Sequence, residues 1–117
     1  VRDVARAYLL ALEAPDAYGP FNILQGNYTI RQIGEQVFET LKKLGYELEL
    51  AIYDRFDLRN YKVSGDKAIT SLGFCAERSI ANTVTDLVLR IEDDTISDYD
   101  NPKYYNIEVL KGVRGLR

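Results

Sequence analysis

The chain reads as α/β, with about four helices and short strands between them. Apolar residues recur at three- and four-residue steps over Ile30, Ile33, Val37, Leu41 and Leu44, the stripe of an amphipathic helix. Between such stretches lie brief runs of strand length, Phe21 to Leu24 and Leu48 to Tyr53, which alternate or are wholly apolar. A third feature is Asp57 to Phe74, a charged extended stretch that leads through Ser64 into a short helix stopped by Gly73.

Taken in order, Val4, Ala7, Tyr8, Ala11 and Leu12 make the first helix, with Asp3 in its opening turn and Pro15 ending it. Phe21 to Leu24 sits between Gly19-Pro20 and Gly26-Asn27 and predicts a brief buried strand. Thr29 predicts the N-cap of the second helix and Gly45 its end. Leu48 to Tyr53 and Arg59 to Val63 predict two further strands. Ser64 is the expected cap of the third helix, whose Ala68, Ile69 and Leu72 point inward. Ser79 opens the fourth, which carries Ile80, Val84, Leu87 and Ile91 up to Glu92-Asp93-Asp94. Acidic residues at that C-terminal end oppose the helix dipole and predict fraying. Beyond Thr95 the expectation is a mostly irregular tail with a helical turn near Ile107 to Leu110.

Composition excludes several classes of chemistry. The 117 residues contain no histidine, which removes Ser-His and Cys-His nucleophile pairs and His-based metal sites. Cys75 is the single cysteine, so no internal disulfide is possible and a reducing cytoplasm is the expected compartment. A formal charge of -3 disfavours nucleic acid and anionic membrane surfaces as partners. No apolar run approaches the roughly 20 residues that span a bilayer, so a soluble protein is expected.

The run DLRNYKVSGDKAITSLGF resembles the C-terminal region of extended short-chain dehydrogenase/reductases, the NAD-dependent nucleotide-sugar epimerases and dehydratases. VRDVARAYLLALEAP is similar to the Asp-Val-Ala helix of that family, FNIL to its edge strand and YTIRQIGEQVFETL to the first helix of its substrate domain. The resemblance implies a C-terminal piece of an extended Rossmann-type fold. Residues 1–26 would be a remnant helix and edge strand of the dinucleotide-binding part, 27–94 a substrate-binding domain and 95–117 a tail. It implies NAD as the cofactor of the parent enzyme and none for this chain alone, which has no glycine-rich nucleotide loop and no catalytic Tyr-Lys helix. The opening Val1-Arg2-Asp3, already helical in pattern, is read as the start of a truncated product.

Alternation along a strand places Asp57, Arg59 and Tyr61 on one face. A guanidinium fork matches two phosphate oxygens, and a neighbouring carboxylate can orient it or accept a sugar hydroxyl. The plain alternative is a surface ion pair of Asp57 with Arg59 beside a half-buried tyrosine. The resemblance assigns Arg59 to the substrate diphosphate, with Asp57 and Tyr61 as companions. Lys67 is read as structural, serving helix capping and surface packing.

Tyr99 and Lys103 have the spacing of a proton-transferring Tyr-Lys pair, but Pro102 between them denies the helix that would align the two. Gly112 and Gly115 follow no strand and do not signal a dinucleotide. Asp54, Asp57, Glu92, Asp93 and Asp94 lack the ligand spacing of a calcium loop. Tyr104-Tyr105-Asn106 resembles a tail motif of the family that packs over the substrate domain; an interface role for these aromatics is the alternative.

The sequence thus leads to the portion of an NAD-dependent sugar epimerase or dehydratase that binds a nucleoside diphosphate sugar, without catalysis by this chain itself. The alternative is a stand-alone, non-enzymatic nucleotide-binding or protein-interaction module of the same ancestry. Self-association is also expected, as a homodimer built on the first helix and the Phe21 to Leu24 edge.

Overall fold

The computed structural model describes residues 1–53 and 61–114. In chain order these form α1 (Arg2–Glu13), α2 (Ile30–Lys43), α3 (Asp66–Leu72), α4 (Ile80–Glu92), a 3-10 turn (Pro102–Tyr104) and α5 (Asn106–Arg114). No strand occurs among the described residues, which corrects the α/β expectation: the described chain is helical. It divides into two compact units, Val1–Thr85 and Asp86–Arg117.

The missing sheet has a physical cause. A strand exists only where a neighbour supplies a ladder of backbone hydrogen bonds, whatever its own side-chain pattern. Residues 21–24 and 61–64 are non-helical and lie side by side, but side-chain amides make the links between them. Asn22 Nδ2 donates to the Ser64 carbonyl at 3.0 Å, and the Asn27 amide both donates to the Val63 carbonyl at 2.8 Å and accepts from the Val63 N–H at 2.9 Å. For residues 47–53, no backbone hydrogen bond is made among the described residues. Their alternation finds no partner strand among the described residues. Of the third expected strand, residues 54–60 lie outside the described residues, and Tyr61 to Val63 are not strand.

The core of the first unit is small and local. Ala7 of α1, Ala68 and Leu72 of α3 and Phe74 just beyond α3 are its buried apolar residues, with Leu10, Ala11, Ala14, Phe21 and Ile23 packed around them. Small residues at Ala7 and Ala68 let α1 and α3 approach closely, and Phe74 fills the space beneath. Gly73 makes this possible. Its φ of 62° is left-handed, which only glycine adopts without steric cost, and the reversed chain places the Phe74 N–H on the Ala68 carbonyl at 3.2 Å.

Polar contacts fix α1 against the segment after Phe74. The Asp3 carboxylate accepts the N–H groups of Glu77 at 3.2 Å and Arg78 at 3.0 Å, so it bridges to a distant loop and does not cap its own helix. Burial pushes this carboxyl up, but the Arg78 and Glu77 amides together with the nearby Arg6 charge outweigh it and hold the group below the usual carboxylate value. Arg6 lies 5.7 Å from the Phe74 ring centre and forms an ion pair with Glu77, without the geometry of a hydrogen bond.

The expected helix starts are found in part. Thr29 caps α2 as a full capping box: its hydroxyl accepts the Gln32 N–H at 3.1 Å and the Gln32 side chain accepts the Thr29 N–H at 2.9 Å. Ser79 and Asn82 exchange equivalent bonds at the start of α4. Ser64 does not cap α3. Gly65 occupies that position, and the Ser64 hydroxyl accepts the Asp66 N–H at 3.2 Å in a local turn.

In the second unit, α4 ends at Glu92, and Asp94, two residues beyond it, has a left-handed φ of 59°. The tail is more ordered than the composition predicts. Asn101 accepts the Lys103 N–H at 3.0 Å, Pro102 opens the 3-10 turn and α5 runs for nine residues, where only a turn was expected.

Candidate functional site

The two cross-linked segments wall an open groove of about 420 Å³, lined by Asn22, residues 24–27, Val63 to Asp66, Ile69 and residues 74–76. Asn27 does here what a strand backbone would do: its amide has the donor and acceptor of a peptide unit and satisfies both polar groups of Val63. Asn22 does the same for one carbonyl. The backbone of Gly65 approaches closely, since a Cβ there would stand 2.6 Å from Leu24 Cδ2. A larger residue would force the Leu24 side chain to shift.

Lys67 anchors the opposite side of α3. Its ammonium donates to the carbonyl oxygens of Tyr18 and Pro20, the latter at 3.1 Å, and stands 4.2 Å from the centre of the Phe21 ring. It therefore clamps the turn that delivers residues 21–27 to the groove. The role is structural, as the sequence predicts, but through this clamp and not through capping.

Of the three predicted ligand residues, Asp57 and Arg59 lie outside the described residues. Tyr61 is highly exposed, at 84%, and is not among the residues that line the groove. Sequence reasoning missed Asn22, Gln25 and Asn27. The available signal was an apolar run closed at both ends by side-chain amides, FNILQGN, in which each amide can stand in for a missing backbone partner.

The groove wall combines the amides of Asn22, Gln25 and Asn27, the Ser64 hydroxyl and the Asp66 carboxylate with apolar Leu24, Val63, Ile69 and Phe74, and no cationic side chain is among its lining residues. Such groups suit a neutral molecule rich in hydroxyls, and Asp66 opposes a diphosphate placed in the groove itself. Cys75 is exposed, and its Sγ stands 3.8 Å from the Ala76 carbonyl oxygen. Among the described residues no group of three His, Cys, Asp or Glu side chains is placed to hold a metal ion.

At the starts of α2 and α4 the Gln32 and Asn82 N–H groups are engaged by the Thr29 and Ser79 hydroxyls, and at α3 the Asp66 N–H is held by Ser64. No helix among the described residues is long and apolar enough to cross a membrane. No protein-family model, curated protein or solved structure matches the chain.

Proposed function

We propose that the chain supplies the part of an NAD-dependent nucleotide-sugar epimerase or dehydratase that binds the nucleoside diphosphate sugar. The observation that carries this reading is the groove between residues 22–27 and 63–66, whose amide, hydroxyl and carboxylate wall suits sugar hydroxyls. Arg59 is assigned to the diphosphate. The motif resemblance of Asp57 to Phe74 supports the same assignment, and Asp57 and Tyr61 are proposed to accompany Arg59.

In this reading hydride transfer belongs to NAD held by other residues of the parent enzyme, and this chain binds and orients substrate without catalysis of its own. A cytoplasmic location is part of the proposal, in keeping with the single exposed thiol of Cys75.

Calorimetric titration with a panel of nucleoside diphosphate sugars tests it. Saturable binding is expected, weakened in Arg59→Ala by roughly 1.5–3 kcal/mol, the worth of hydrogen bonds to a charged group. Arg59→Lys is expected to restore only part of this, because an ammonium lacks the fork. Absence of heat across the panel, or an unchanged affinity in Arg59→Ala, overturns the reading. Low-micromolar binding of NAD itself would contradict the division of labour.

A further inference from the structure

Among the described residues that line the groove between residues 22–27 and 63–66, Asp66 carries the one charged side chain. Its backbone is held on both sides: the Asp66 N–H donates to the Ser64 hydroxyl at 3.2 Å, and the Asp66 carbonyl accepts the Thr70 hydroxyl at 2.9 Å. Its carboxylate makes no hydrogen bond or ion pair with a described residue. The ammonium of the next residue, Lys67, is committed elsewhere, to the Tyr18 and Pro20 carbonyls and the Phe21 ring. The described wall therefore sets an unneutralised negative charge beside neutral amides.

We propose that Asp66 is a specificity residue of this groove, which admits a neutral hexose and rejects a hexuronate, the same sugar with a carboxylate in place of its hydroxymethyl group. The inference rests on the sugar-binding reading above and names the class of sugar that fits it. A hydroxymethyl group donates a hydrogen bond to a carboxylate, whereas a hexuronate has no proton to give there near neutral pH and adds a second negative charge to the wall. Neutral donors do remain. The Gln25 amide oxygen accepts the Tyr28 hydroxyl and leaves the Gln25 NH2 group available, while Asn22 and Asn27 each spend one N–H on the facing backbone. Such donors bond either sugar, but none supplies the positive charge that would offset a second carboxylate. Because Asp66 is exposed, water weakens the repulsion. Two unit charges roughly 6 Å apart at an effective dielectric constant of about 40 correspond to about a tenfold difference in affinity.

Calorimetry on the full chain with matched pairs of ligands tests the proposal: UDP-glucose against UDP-glucuronate, and GDP-mannose against GDP-mannuronate. The neutral member of the pair that binds is expected to bind about tenfold more tightly than its uronate. In Asp66→Asn the ratio is expected to fall to within about twofold, and in the wild type it is expected to shrink as salt is raised from about 0.05 to 0.5 M. The Asp66 side chain is exposed, and circular dichroism checks that the variant remains helical. A wild-type ratio near one, or a ratio unchanged in Asp66→Asn, overturns the role of Asp66 and leaves sugar-nucleotide binding standing. A ratio indifferent to salt assigns the discrimination to shape and overturns the role of charge. Absence of binding by either neutral ligand overturns the sugar-binding reading itself, and this inference with it.

Discussion

Helices α3 and α4 are each followed by a left-handed residue, Gly73 directly after α3 with φ 62° and Asp94 two residues after α4 with φ 59°, but the two turns serve different units. After Gly73 the chain buries Phe74 to 3% exposure, and the first unit is assembled on that residue. After Asp94 the Ile96 N–H returns to the Arg90 carbonyl at 2.8 Å, but no described residue of the second unit is buried. Where the turn directs a core residue, glycine removes the steric cost. Where it only closes a helix, an aspartate is tolerated, and Asp93 helps by accepting the Thr95 N–H at 2.9 Å.

This contrast can be broken at its strongest point first. Phe74→Ala removes the largest side chain of the small core and is expected to destabilise the first unit by about 3–5 kcal/mol in urea denaturation. A loss under about 1 kcal/mol would mean that α1 and α3 do not depend on it. Next, Gly73→Ala should cost about 1–2 kcal/mol, the penalty of a Cβ in a left-handed conformation. Asp94→Gly should act in the opposite direction, protecting the α4 end by up to about 1 kcal/mol in amide hydrogen exchange. Equal effects of the same sign at both turns would remove the distinction between them.

The smallest expected effect is on acid stability. Asp3 and Asp93 are both held below the ordinary carboxylate value. For Asp3, burial acts upward but is outweighed by the Arg78 and Glu77 amides; for Asp93, the Thr95 hydroxyl and amide dominate. A depressed carboxyl contributes stability above its unfolded value, near 3.9, and loses it as the pH falls through the folded value. Asp3→Asn is therefore expected to flatten the decline of stability below about pH 4. A wild-type and variant decline that coincide would assign the Asp3 bonds no net role.

The helices were legible in the sequence because their signals are local. Thr29 with Gln32, the stripe from Ile30 to Leu44 and the Gly73 stop each lie within a turn or two of what they control. The strands were not, because a strand depends on a partner the local pattern does not reveal. FNIL satisfies the pattern of an edge strand, but its neighbour is met through Asn22 and Asn27. The same limit hid the groove, whose walls are 36 to 42 residues apart in sequence at those bonds. Asp3 illustrates the reverse error: it has the position of a first-turn acid and spends its carboxylate on amides at Glu77 and Arg78.

The proposed function is tested most directly by following backbone amides in nitrogen-proton correlation spectra during titration with a nucleoside diphosphate sugar. The expected result is saturable shifts concentrated on residues 22–27 and Tyr61 to Asp66, abolished or displaced to higher ligand concentration in Arg59→Ala. Spectra that stay unchanged to millimolar ligand, or shifts confined to α4 and α5, would contradict it.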